Sequence, residues 1–199
     1  LTEDELFAIP DLDAVLVETP NTDLVSSALR CLARGLPMHL DKPGGEDLAL
    51  FRSLLAGCRE RGLPLQMGYM FRANPAMQFG LRAVREGWLG AVFDVQGAMS
   101  HDYGGPAYQE YLGHFRGGIV FNLGCHLIDF VVALLGRPTR VHSILKAAGD
   151  VPDYVCNNGL AILEYPRTTA TIRACSLEVE GLSHRRLTLC GTGGPIELS

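Results

Sequence analysis

Apolar residues in the first seventy positions fall in short, nearly unbroken runs separated by amphipathic stretches. Asp13-Ala14-Val15-Leu16-Val17, Met38-His39-Leu40 and Pro64-Leu65-Gln66-Met67-Gly68 have the length and composition of strands buried on both faces. Between the first two, Ala28, Leu29, Leu32 and Ala33 share one helical face, which predicts a helix capped by Asn21 or Thr22, running to about Arg34 and closed by Gly35. A second helix is expected from about Glu46 to Arg61, stopped by Gly62. Strand, helix, strand, helix, strand is the alternation that builds a parallel sheet with right-handed crossovers. Residues 1–70 therefore look like half of a doubly wound domain.

Beyond Tyr69 the pattern changes. Asn74 and Pro75 open a helix to Glu86, with Gly87 at its end, and Val92 to Ala98 alternates as an amphipathic strand. Residues 100–116, rich in Gly, Tyr, His and Gln without a clean period, are expected to form a loop over a site. A helix over 118–135 is apolar nearly all round. Strands follow over 139–147, 159–165, 168–176 and 184–191, then at Pro195-Ile196-Glu197-Leu198. Gly191-Thr192-Gly193-Gly194 resembles a phosphate loop, but a strand rather than a helix follows it, which makes it a hairpin turn. The fold class expected is α/β, with a second, α+β domain over 71–199 built on a large, mainly antiparallel sheet.

Composition narrows the classes of function. The 199 residues are 47% hydrophobic and 20% charged, with a formal net charge of −5, an ordinary globular balance without the basic footprint of a nucleic-acid partner. No apolar run reaches the length of a membrane span; the longest, Phe121 to Leu135, is interrupted by Asn122, His126 and Asp129. Cysteines at 31, 58, 125, 156, 175 and 190 form no C-x-x-C pair and read as small buried hydrophobes, which fits a reducing, cytoplasmic compartment. A first residue that is leucine and a last one just past a strand suggest a piece of a longer protein.

Two sets of polar residues stand out. Asn122, His126 and Asp129 fall at i, i+4 and i+7 on the apolar helix, one stripe at 100° per residue. They make either a satisfied structural network, His126 bonded to Asp129 or to backbone, or a site. Gly117-Gly118 at the helix start and Gly124 on the opposite side favour the site, because they permit close backbone approach. Lys42 closes a strand just before Pro43, at the carboxyl end where ligands of open α/β sheets collect. An ammonium there can bond a substrate hydroxyl and stabilise the alkoxide as it forms. Asp41 either pairs with Lys42 or bonds a nucleotide ribose. The remaining histidines, 39, 101, 114, 142 and 184, lack metal-ligand spacing, so no metal site is expected.

In this order the motifs resemble the Gfo/Idh/MocA oxidoreductases, the glucose–fructose oxidoreductase and inositol dehydrogenase family. Val15-Leu16-Val17-Glu18-Thr19-Pro20-Asn21 is similar to the family's strand and T-P-N loop, Asp41-Lys42-Pro43 to its E-K-P motif, and Gly68-Tyr69-Met70-Phe71-Arg72 to the stretch entering its second domain. Gly117 to Asp129 resembles its G-G-x-x-x-D-x-G-x-H-x-x-D helix. The resemblance implies a Rossmann domain holding NAD or NADP, whose G-x-G-x-x-G part lies upstream of these residues. It also implies a second domain that covers the site and whose sheet mediates a homodimer or tetramer. Thr19, Pro20, Asn21, Asp41, Lys42 and Pro43 would line the cofactor. Lys42 and His126 would flank a reacting hydroxyl on a small sugar-like or polyol substrate, His126 as acid/base with an imidazole pKa near about 6.5. Asn122, Tyr103 and Arg72 would contact that substrate. Asn122 stands where the family carries aspartate, which keeps Tyr103 and Tyr108 open as donors. It also raises two other readings: a dinucleotide-binding regulator without turnover, and an NAD-assisted glycoside hydrolase or lyase with no net redox change.

Overall fold

The computed structural model describes residues 1–199, which divide into two compact units, Leu1–Tyr69 and Met70–Ser199. The first contains α1 (Glu3–Phe7), β1 (Val15–Val17), α2 (Leu24–Ala33), β2 (Met38–Leu40), α3 (Leu48–Glu60) and β3 (Leu65–Met67). The strands pair in parallel in the order β1-β2-β3, with Val15 opposite Met38 and Met38 opposite Leu65. Val15, Val17, Leu24, Ala28, Leu32, Met38, Leu40 and Leu54 share its core.

Three expectations for this unit are corrected. Leu16 is 71% exposed between buried Val15 and Val17, so β1 is buried on one face, the face that packs with α2 and α3. Helix α2 starts at Leu24 after Asp23, without a side-chain cap, which leaves Asn21 and Thr22 in the loop. Helix α3 starts at Leu48, where the Asp47 carboxylate accepts from Leu50 N at 2.9 Å. Helix α1 went unexpected; it is held by a capping box in which Thr2 Oγ1 accepts from Glu5 N and the Glu5 carboxylate accepts from Thr2 N.

The second unit opens with a 3₁₀ turn, Met70–Arg72, and continues through α4 (Pro75–Arg85), β4 (Val92–Ala98) and α5 (Pro106–Leu112). A π-helical segment, Val120–Gly124, runs into α6 (Cys125–Leu135). Five strands complete it: β5 (Arg140–Lys146), β6 (Asn158–Glu164), β7 (Thr169–Cys175), β8 (Arg186–Gly191) and β9 (Gly194–Leu198). They join β4 in one six-stranded sheet of order β5-β6-β7-β4-β8-β9. Only β4 and β7 run parallel; every other pair is antiparallel, so the α/β class with a mainly antiparallel second sheet stands. Asn74 caps α4 through Met77 N, as expected. The Gly191–Gly194 segment is a tight hairpin turn between β8 and β9.

Two expectations change here. The loop over 100–116 contains α5, whose Gly105 N-cap and Pro106 in the first turn are ordinary helix-start chemistry. The helix over 118–135 is continuous as expected, but its residues Val120–Gly124 form a π segment. Phe130, Ile119, Leu127, Val95, Ile172, Leu187 and Leu189 anchor the core between the helices and the sheet. All six cysteines are free, and Cys31, Cys58, Cys125 and Cys175 are buried. No helix is long and apolar enough to cross a membrane.

Candidate functional site

Within the first unit, backbone bonds from Asp41 N to Val17 O (3.0 Å) and from Gly68 N to Leu40 O (2.8 Å) continue the parallel ladder past the strand ends. They bring Thr19, Pro20 and Asn21, then Asp41, Lys42 and Pro43, and Gly68 to one carboxyl edge. Pro43 is buried and joined to Lys42 by a cis peptide bond. Thr19 Oγ1 donates to Ser27 Oγ at 3.3 Å, which ties this loop to α2. The Asn21 side chain is buried, and its Nδ2 has no hydrogen-bond partner. An orphaned buried amide costs about 1–3 kcal/mol, so Asn21 Nδ2 is a donor open to a further partner. A Cβ on Gly68 would come within 2.8 Å of Asp41 Oδ1 and 3.2 Å of its Cα, so glycine lets the third strand end pass closely beside Asp41.

Gly118 starts the site helix of the second unit. It adopts φ +47°, and a Cβ there would stand 1.9 Å from Cys156 O; that same carbonyl accepts from Ile119 N at 2.8 Å. The π segment then departs from the 3.6-residue period, and the stripe of three polar residues divides among three neighbours. Asn122 Oδ1 accepts from Tyr108 Oη at 2.8 Å, and its Nδ2 lies 3.5 Å from Tyr111 Oη. His126, 5% exposed, packs its ring 5.8 Å from that of Phe71. Asp129 accepts from Arg72 Nε and Nη2, both at 2.7 Å. Asp129 is thus committed to Arg72, contrary to a structural pair with His126. Arg72 in turn accepts from Gln78 Nε2 through its carbonyl oxygen.

Helix α5 supplies the rest. Burial pushes the Tyr108 hydroxyl well above the ordinary tyrosine range, with Tyr103, Tyr111 and Cys125 adding to the effect, so it stays protonated as a donor. The Tyr103 ring stacks on that of His101 at 3.8 Å and 6° and lies 4.6 Å from that of Tyr108. Behind the helix, Gln109 Nε2 donates to Tyr103 O (2.9 Å) and Ser176 Oγ (3.0 Å), while its Oε1 accepts from Asn157 Nδ2 (2.9 Å). Asn157 is fixed in turn by the backbone of Ala148. Tyr111 and this buried network had no place in the sequence reading; the i, i+3 spacing of Tyr108 and Tyr111 would have placed them on one face had 106–112 been read as a helix. No group of three or more His, Cys, Asp or Glu residues is arranged to hold a metal.

The family model for the GFO/IDH/MocA C-terminal domain matches residues 81–197. The chain belongs to the Gfo/Idh/MocA family. It is 30% identical over 181 residues to the uncharacterized oxidoreductase YhhX of Escherichia coli, covering 82% of this chain and 52% of that protein. It is 27% identical over 132 residues to scyllo-inositol 2-dehydrogenase (NAD(+)) of Bacillus subtilis, covering 66% and 38%. The chain thus spans about half, or less, of the length of these relatives. An oxidoreductase from Agrobacterium radiobacter, solved with NAD+, L-tartaric acid and magnesium, shares the fold at TM-score 0.85 and 20% identity, over 100% of this chain and 59% of that one.

Proposed function

We propose that the protein carrying this chain is an NAD- or NADP-dependent oxidoreductase acting on a hydroxyl-bearing carbon of a sugar, polyol or related compound. The observation that supports it most is a family member's Asp41-Lys42-Pro43 at the carboxyl edge of a parallel sheet, beside the buried, unsatisfied amide of Asn21. Those residues fit a dinucleotide: Thr19, Asn21 and Asp41 offer polar side chains, and Pro20 and Pro43 shape the loops, at the edge where such ligands bind. When bound, the nicotinamide supplies the redox chemistry. The chain's own residues do the rest. In this reading His126 serves as acid/base for the reacting hydroxyl, and the Lys42 ammonium as an electrostatic aid to the reaction. Asn122 and Tyr103 orient the substrate, and the Arg72–Asp129 pair holds the start of the second unit against α6. Domain roles follow: residues 1–70 serve the cofactor, and 71–199 serve the substrate and a homo-oligomer formed through the six-stranded sheet.

Asn122, which cannot act as a base, favours a second reading: a dinucleotide-binding regulator without turnover. The two separate on one assay. Reduced-nicotinamide absorbance is followed in the intact protein with NAD or NADP across a panel of sugars, polyols and sugar acids. Sustained reduction with one substrate is expected, and K42A should lower kcat/KM by about 10²–10³-fold. A flat trace despite cofactor binding overturns the dehydrogenase and leaves the regulator or a redox-neutral lyase.

A further inference from the structure

Asn122 is held at both ends of its amide by one helix. Tyr108 Oη donates to its oxygen at 2.8 Å, and Tyr111 Oη stands 3.5 Å from its nitrogen. Amide oxygen and nitrogen are nearly the same size, so packing alone does not set which way the group faces; its hydrogen bonds do. A half-turn of the amide would set the NH2 group against Tyr108 and take the short acceptor from its buried hydroxyl hydrogen, at a cost of about 1–3 kcal/mol; Tyr111 Oη could donate to the turned oxygen only across 3.5 Å, too long to offset that loss. Nor can α5 shift to follow, because Gln109, Asn157 and Ser176, all buried, pin it from behind.

We propose that Tyr108 is a positioning residue that clamps the Asn122 amide in one orientation, so that position 122 serves as a neutral hydrogen-bonding group of fixed polarity and leaves proton transfer to His126. This deepens the oxidoreductase reading and rests on it for its kinetic consequences. The raised pKa of Tyr108 agrees: the hydroxyl remains a donor throughout the working pH range. A site with a carboxylate at 122 would bring a second titrating group into contact with the same hydroxyl; this one does not.

Two measurements test the clamp, one free of substrate. In N122D the introduced carboxyl receives the Tyr108 hydrogen bond, so its pKa, read by carbon NMR titration of the intact protein, should lie about one unit or more below that in the Y108F/N122D double variant. Equal values overturn the proposal. Should the double variant fail to fold, solvent exchange of the Asn122 side-chain amide decides instead: about tenfold faster in Y108F than in wild type supports the clamp, and an unchanged rate overturns it. Kinetically, Y108F should lower kcat about tenfold with KM within about threefold, with a smaller loss in Y111F. N122D should add a second ionisation to the pH profile of kcat/KM. Full kcat in Y108F, or a pH profile unchanged in N122D, overturns the proposal. Absence of turnover with every substrate defeats the oxidoreductase reading only, and the carboxyl titration still decides the role of Tyr108.

Discussion

Arg72 and Asp129 illustrate how much depends on which partner is the buried one. The Arg72 side chain is 58% exposed and that of Asp129 only 13%, so removing the arginine strands a carboxylate that water reaches poorly. R72A should destabilise the protein by about 1–2 kcal/mol, measured as a lower urea midpoint with an unchanged slope. Glu178 makes a second case. Burial on its own raises its pKa, but hydrogen bonds from Ser100, His184 and Arg173 outweigh that and hold its carboxyl below the ordinary value. Arg173 Nη1 donates to it at 2.7 Å and His184 Nδ1 lies 2.8 Å away. A carboxyl with a folded pKa below its unfolded one stabilises above the unfolded value, and that contribution disappears as pH falls through the folded one. The melting temperature of E178Q should therefore lie below that of wild type near pH 7, and the gap should narrow as pH falls below the ordinary carboxylate range.

Single elements carry larger stakes. Gly118 combines a left-handed backbone with a carbonyl where its Cβ would stand, so G118A should cost more than about 3 kcal/mol and show as a large fall in urea midpoint. The sequence made the α/β rhythm of the first seventy residues legible because Gly35 and Gly62 stop the helices and apolar runs mark the strands. The Asn74–Pro75 helix start and the hairpin at 191–194 were legible for the same local reason. Helix α5 was lost because Gly104, Gly105 and Pro106 read as loop punctuation, although Pro106 sits in the first turn, where its missing N–H costs nothing. The fate of Asn122, His126 and Asp129 was hidden for a different reason. An argument from a 3.6-residue period assumes an α-helix, and the π segment ends at Gly124 in the middle of the motif. Lys42, His126 and Tyr108 stood out as candidate groups; the contact of Tyr108 and Tyr111 with Asn122 did not, because it joins two elements and no local pattern encodes it.

The whole molecule has two hydrophobic cores, one in each compact unit. Such chains unfold in more than one step when the units differ in stability. Calorimetry should give a total unfolding enthalpy larger than the van't Hoff enthalpy of its main transition, whereas equality of the two would mark a single cooperative unit. The second unit adds a feature of another kind. Its central strand β4 finds its partners late: Asp94 lies opposite Thr169 on one side and Cys190 on the other. Contacts that close such long stretches of chain form slowly. On a ribosome this strand leaves the exit tunnel with Val95, fully buried in the finished fold, still bare, and waits for β7 and then β8 to emerge. The middle of the sheet is therefore the part whose apolar surface stays uncovered longest during synthesis.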